Sequence, residues 1–501
     1  MMVRRSVARG IWRFVALIGG ITYALVIIAV LNSGLSFNYI VLLIISIIIV
    51  LLCLKNKHKI LIFLKKNKGK VRVMMVVLII IGFAMRFSFL LMGDRFSIDS
   101  VLSDTGVHWY GAQQIVNDGQ FDKEVGDYES IFPYLSAYTG VVSISMSIFG
   151  NGYFSVLFLN ILFDLVSCLA LFILFYKWKG DKDVAIFASM FWALNPLQIV
   201  FCSLPLAIIV VNTCVILSIL FTYLLFYYRD DIIKLCLFSA VCGIVFAIGN
   251  AFRPIFIIFL LATIFYWIMI SLKRKSCLKK PVISCLLIIV FYFVAGMLPG
   301  IIHTQINPYY HGEKARPGWG VYVGANYKTK GRWSSDDRDL FFGPVLLEQS
   351  NGDVEDAQSR IMSAAIGRYA KIILNGNLVH HFLNKISVVF GDVKNSIYDF
   401  PYVFNVSNSN SAYMFIQDLI SVFYYLVLFI LGYATYRMVR SKEYLEKKGF
   451  VNYLVVLFVG LFAAYLLVES MNRYCLPFVA ILSLIALGLV FRGNRHNCDI
   501  I

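Results

Sequence analysis

The chain has 501 residues, of which 60% are hydrophobic and only 15% charged, and it carries a formal net charge of +17. A soluble protein is excluded, because apolar runs of about 20 residues, the length that crosses a bilayer as a helix, recur along the whole sequence. The Lys and Arg sit in short segments between those runs, as orientation signals do in membrane proteins, and no nucleic-acid motif accompanies them, so no nucleic acid is expected as a partner.

Arg4, Arg5, Arg9 and Arg13 introduce a first apolar run at 11–31. It extends too far for a signal peptide and lacks a small-residue cleavage site, so a retained span is expected. A second span is expected at 39–54, then the basic tract Lys55 to Arg72, then a third span at 73–92. With the N-terminus and the basic tract cytoplasmic, the segment from Gly93 onward lies outside. The ten Cys are scattered, mostly within apolar runs and with no Cys-x-x-Cys pair, which reads as apolar filling rather than a disulfide framework or zinc site.

The polar stretch from Val101 to Gln114 follows, with Asp104 in Ser103-Asp-Thr-Gly106, and residues 105–118 read as a short surface helix. The segment Phe132 to Gly150 is apolar enough to span yet rich in Ser and Gly. If it spans, every later basic loop falls outside. If it lies along the outer interface, Lys177 to Lys182, Lys273 to Lys280, Arg437 to Lys448 and Arg492 to Arg495 all fall inside, which the positive-inside rule favours.

Further spans are then expected near 153–176, 184–203, 205–228, 232–250, 254–271, 282–302, 411–436, 450–468 and 476–491. The fold class is thus an all-α polytopic membrane protein of about twelve spans with both termini cytoplasmic. It divides into a two-span hairpin and basic loop (1–72), a membrane core (73–302) with a first outer loop at 93–152, a long outer region (303–410) and C-terminal spans (411–501). The outer region carries Gly318-Trp-Gly, Tyr322, Asn326-Tyr327, Gly331-Arg-Trp333, an amphipathic helix around 354–373 and an apolar piece at 378–390. A connection this long is commonly functional.

This topology gathers Asp104, Arg253, Glu469 and Arg473 at the outer face. Each Arg at a span boundary is either an interfacial anchor or, through its fork of donors, a phosphate ligand. Asp164, near the middle of a span, needs a partner, and Arg86 is within reach of it. Tyr110, Trp319 and Trp333 either belong to an interfacial aromatic belt or stack on sugar rings. Glu129 is a second carboxylate of the first outer loop, unranked against Asp122, Glu124 and Asp127, and His108 is a base or an incidental residue.

Ser103-Asp104 with Tyr110, Ala112, Ile115 and Gly119, then Phe132-Pro-Tyr, Tyr138, Ile148-Phe-Gly150, Asn195-Pro196, Arg253-Pro254, the Gly-Trp-Gly to Gly-Arg-Trp loop, and Glu469 with Arg473-Tyr474 and Pro477, occur in one order. From about residue 73 onward this series resembles the GT-C superfamily of polytopic glycosyltransferases, in particular bacterial relatives of glycosyltransferase family 39 and the protein O-mannosyltransferases. The resemblance implies transfer of a monosaccharide from a polyprenyl-phosphate donor to an acceptor hydroxyl on the extracytoplasmic face of a bacterial plasma membrane, usually with inversion.

The resemblance also implies Asp104 as catalytic acid-base residue and Arg253 and Arg473 as donor phosphate ligands. Glu129, Tyr110, Trp319, Trp333 and Glu469 are candidates for acceptor or sugar binding. The acceptor is a cell-wall polysaccharide, a teichoic acid or a protein, and a partner enzyme that makes the donor is implied. The outer turn Cys202-Ser-Leu-Pro-Leu-Ala207 has no carboxylate where many relatives carry one, so a divalent metal lacks a second clear acidic ligand. Ile131-Phe-Pro133 replaces the Lys-Pro-Pro of lipid A aminoarabinose transferases.

The chemistry fits those residue types: guanidinium groups offset charge growing on a phosphate leaving group, and an ionised Asp accepts a proton from the attacking hydroxyl. A flippase or transporter of lipid-linked saccharides, which would line a path through the spans with polar groups, and a polymerase using lipid-linked oligosaccharides are the competing readings.

Overall fold

The computed structural model describes residues 2–32, 66–98, 100–101, 103–273, 279–310, 318–341, 350–351, 353–440 and 449–491, with the single positions 41, 44 and 48. Among them the chain is helical, with no strand. The span expected at 39–54 and most of the basic tract behind it lie outside the described residues. Nine helices among the described residues are long and apolar enough to cross a membrane.

Helix α1 (Met2–Asn32) is followed by α2 (Lys68–Phe87), which a 3-10 turn extends to Arg95. Helix α3 (Asp104–Asp118) begins where Ser103 accepts a hydrogen bond from the Gly106 amide at 2.9 Å, and it ends at Gly119, whose φ of 75° suits glycine. Gly106 is required there, because a Cβ would collide with the carbonyl oxygens of Ser100 and Val101. Expected as a surface helix, α3 instead buries Thr105 to Trp109, Gly111 and Ala112. It packs against α5 (Leu135–Phe149), reached through α4 (Lys123–Ile131).

Helix α5 has 15 residues, about 22 Å of rise against a hydrocarbon core of about 30 Å. It is too short to span upright. Its Ser136, Ser143 and Ser147 hydroxyls donate to carbonyls of the preceding turn, so their polarity is absorbed locally.

Helix α6 (Tyr153–Lys179) spans, but the single span expected at 184–203 is two helices, α7 (Lys182–Ala193) and α8 (Pro196–Phe201). Proline cannot donate a backbone hydrogen bond, and Asn195 caps the new helix by accepting from the Leu197 amide at 3.0 Å, so the chain restarts there. Helix α9 (Ile208–Tyr227) is buried on nearly all sides, which explains why it is apolar all round. The chain continues through α10 (Ile232–Phe252), α11 (Ile257–Lys273), α12 (Lys279–Gly296) and α13 (Leu298–Ile306).

Arg86 and Asp164 pair deep inside this bundle, Nη2 to Oδ2 at 2.6 Å, with both side chains almost fully buried. Arg86 also donates to the carbonyls of Gly82 at 2.6 Å and Ala193 at 2.7 Å, and Trp192 donates to Asp164 at 2.9 Å. The expected pair is present, and it ties α2, α6 and α7 together.

The outer region supplies α14 (Gly318–Gly324), α15 (Ser335–Phe341), α16 (Val354–Leu374) and α17 (Leu378–Ile386). A π turn at Ser387–Gly391, a 3-10 turn at Val393–Ile397 and a short helix α18 (Asp399–Val403) then lead to the closing spans α19 (Ser411–Arg440), α20 (Phe450–Leu467) and α21 (Leu476–Val490).

Candidate active site

The site forms where several helices begin or end together. Arg253 caps the C-terminus of α10, Glu469 follows the end of α20, and Arg473 lies in the 3-10 turn that opens α21. Asp104 is the first residue of α3. Helix boundaries are where a polar side chain can leave an apolar bundle without breaking it, which is why charges from distant parts of the sequence meet here.

Arg473 is the hub. Its Nη2 pairs with Asp104 Oδ2, and its Nη1 donates to Asp399 Oδ2 at 2.8 Å. The Arg473 and Asp399 side chains are 8% and 15% exposed, whereas Asp104 is 42% exposed, so Asp104 is the member that a molecule outside can reach. The guanidinium also lies 5.4 Å from the Tyr398 ring centre. Burial pushes the Asp399 carboxyl up, to about 7, against the pull of the guanidinium beside it.

The neighbouring residue carries the rest of the cluster. Tyr474 donates its hydroxyl to Glu469 at 2.8 Å, and Arg253 stacks over the Tyr474 ring with 4.0 Å between its central carbon and the ring centre. Burial raises the Glu469 carboxyl, while the Tyr474 hydroxyl, Arg253 and Lys385 favour its ionised form. Lys385, itself lowered to about 7 by burial, donates to the carbonyls of Gly324 at 2.9 Å and Val468 at 2.6 Å, fixing the backbone that carries Glu469.

The other residues singled out from the sequence are held by contacts of their own. Glu129 is fully buried, accepting from the Thr139 hydroxyl at 2.9 Å, with His108 Nδ1 3.0 Å from the same hydroxyl. Burial raises the Glu129 carboxyl to about 8 and lowers His108 to about 3, so both are neutral packing partners between α3, α4 and α5. Tyr110 donates to the Ile98 carbonyl at 2.6 Å and anchors the loop before Asp104. Trp319 packs beside Tyr322 at 6.0 Å between ring centres, while Trp333 stays 46% exposed with Arg338 over its ring.

No family model, curated protein or solved structure matches the chain.

Asp399, Tyr398, Lys385 and Asn472 are members that the sequence reading missed. Asn472 donates to the Asp392 carbonyl at 2.8 Å and accepts from Arg332 at 3.4 Å, joining the outer region to the hub. The signal for Asp399 was its place in Tyr398-Asp-Phe-Pro401, a carboxylate in an aromatic turn just before a span. Among the described residues no three His, Cys, Asp or Glu side chains gather as a metal site. The Asp104 and Asp399 carboxylates share the Arg473 guanidinium.

Proposed function

We propose that this protein is a multi-pass membrane glycosyltransferase of GT-C type. It moves a monosaccharide from a polyprenyl-phosphate donor to an acceptor hydroxyl at the extracytoplasmic face of the plasma membrane. The observation that carries the reading is the Arg473 guanidinium held between a buried Asp399 and an accessible Asp104, with Arg253 on the adjoining Tyr474.

Counting the run at 39–54, the α7 and α8 pair, and α11 with the nine long helices gives about twelve crossings. With α5 lying along the outer interface, both termini are cytoplasmic and the cluster is outside.

In the resting arrangement the arginine holds both carboxylates. The phosphodiester of an incoming donor offers the fork two non-bridging oxygens, and by exchanging with Asp104 it leaves that carboxylate ionised and unpaired beside the sugar. The acceptor hydroxyl oxygen then bonds to the anomeric carbon, and the bond from that carbon to the phosphate oxygen breaks. Its electron pair stays on the phosphate, and the hydroxyl proton passes to Asp104. Arg473 and Arg253 offset the charge that grows on the leaving phosphate. Attack from the face opposite the phosphate inverts the anomeric centre. Coupling donor binding to release of the base limits wasteful proton transfer in the empty site.

The test is a transfer assay on isolated membranes with labelled polyprenyl-phosphate monosaccharides, comparing wild type and Asp104→Asn at matched protein levels. Consumption of one donor that the variant abolishes is the expected result. Turnover of no monosaccharide donor, with lipid-linked oligosaccharides accumulating on one leaflet when the protein is absent, overturns it in favour of a carrier or polymerase.

A further inference from the structure

A second polar cavity, of about 420 Å³, adjoins the site and is lined by Lys328, Thr329, Lys330, Arg332, Asn384, Ser387, Val388 and Asp392. Three cations face one carboxylate. That carboxylate is held by Asn395 at 2.7 Å and by Asn472 at 3.1 Å, both donating to Oδ2, and its single charge leaves the three cations in excess.

The loop bearing the cations is built rather than loose. Asn326 Oδ1 accepts from the amides of Lys328 at 3.1 Å and Thr329 at 3.2 Å, and its amide nitrogen donates to the buried Asp337 at 2.9 Å. The Thr329 hydroxyl donates to the Arg332 carbonyl at 2.8 Å, and Gly331 accepts from the Ser470 amide at 2.7 Å.

Lys330 sits at φ 60°, in the left-handed region that side chains other than glycine rarely adopt. Gly331 follows at φ 76°, hemmed by Lys385, Ser470 and Gly324. Five hydrogen bonds fix the loop, and within it the lysine is held in a disfavoured backbone conformation.

From these observations we infer that the cavity is a binding site for a phosphate-type oxyanion, distinct from the ion-paired cluster at Arg473. Asn472 links the two, hydrogen-bonded to the lining residues Arg332 and Asp392 and directly preceding Arg473. Resting on the transferase reading, the site deepens it: the acceptor is a phosphodiester-bearing chain, one phosphate of which docks on Lys328, Lys330 and Arg332 while a hydroxyl reaches Asp104. A second lipid phosphate headgroup presents the same chemistry, and the experiment separates the two sources.

The experiment measures binding, without turnover, to the purified full-length protein in detergent. The probes are a short glycerol-phosphate oligomer, a neutral oligosaccharide of similar length and a short-chain prenyl phosphate. Wild type is expected to bind the glycerol-phosphate oligomer and not the neutral one, with affinity falling as salt is added. The double variant Lys328→Gln/Lys330→Gln is expected to bind it about tenfold or more weakly, since two charge-assisted contacts are lost.

If the oligomer never binds and the double variant loses one of two prenyl phosphate sites, keeping the one at Arg473, the oxyanion site stands and its occupant is the lipid headgroup. Equal binding of charged and neutral oligomers, or unchanged binding of both phosphate probes by a double variant that elutes and melts like wild type, overturns the inference. A binding loss alongside absent transfer from every donor sinks the transferase reading alone; intact binding in the double variant alongside transfer that requires Asp104 sinks the oxyanion site alone.

Discussion

Arg473 and Asp399 meet at 2.8 Å although 74 residues separate them, and the contact gives the accessible Asp104 a partner fixed from behind. An arginine with no second carboxylate would be free to follow Asp104 outward. Tied to Asp399, it stays at the helix junction and presents one edge of its fork. Arg473→Lys keeps a charge but cannot bridge both groups. Transfer is expected to fall by roughly 10²–10³-fold, the usual loss when a preorganised charge donor is removed from the transition state. Asp399→Asn, which leaves the guanidinium in place, is expected to cost less, and initial rates at matched protein levels measure both. Full activity in Arg473→Lys would take Arg473 out of the site.

The Arg86 to Asp164 pair makes a separate claim, about stability rather than chemistry. Both side chains lie inside the bundle with 2.6 Å between them, so removing one strands the other. Asp164→Asn is expected to destabilise by about 3–5 kcal/mol. The paired variant Arg86→Met/Asp164→Leu, which buries no charge, should recover much of that loss. Thermal unfolding in detergent reads both, and a single variant as stable as wild type would show the pair to be dispensable.

Glu129 carries a pH prediction. Its carboxyl is raised from 4.5 to about 8 in the fold because burial disfavours the charged form. Between those two values the unfolded chain has released a proton that the folded chain retains, so stability falls as pH rises through the window. Glu129→Gln should flatten that decline and leave stability at the acid end nearly unchanged. Melting temperatures of both proteins across the window test it. Parallel curves would mean that Glu129 ionises inside the fold.

Much of this was legible in the sequence, for reasons that the structure makes plain. Asp104, Arg253, Glu469 and Arg473 could be grouped because each stands at the edge of an apolar run, and runs and their edges are local properties. Asp164 could be matched to Arg86 because a carboxylate inside a membrane has few ways to survive. Asp399 and Lys385 escaped because they stand in or beside a tract of π and 3-10 turns between 387 and 403, where no hydrophobic period marks which face a side chain takes. The break at Asn195-Pro196 is a helix stop and restart inside one apolar run, so the run alone reads as a single span. Glu129 looked like a loop acid until α3 and α5 were seen to close over it.

Orientation is the remaining test, and the structure sharpens how to make it. Lys179, the obvious reporter in the loop after α6, is a poor choice, since it is buried and donates to the Gly488 carbonyl at 2.7 Å. Lys182 is exposed at the start of α7, and Trp333 is exposed in the outer region. In a background stripped of the ten native cysteines, Lys182→Cys is expected to resist an impermeant thiol reagent in intact cells and to react once the membrane is opened. Trp333→Cys is expected to react at once. The pair separates the two topologies because α5 sets the parity: lying along the interface, it leaves Lys182 inside and Trp333 outside, and crossing the bilayer it exchanges them. Labelling of Lys182→Cys in sealed cells, with Trp333→Cys protected, would overturn this topology: Asp104 precedes α5 and Arg473 follows it, so a crossing α5 would part the pair, and keeping their contact would require the whole chain to be inverted with the cluster on the cytoplasmic face.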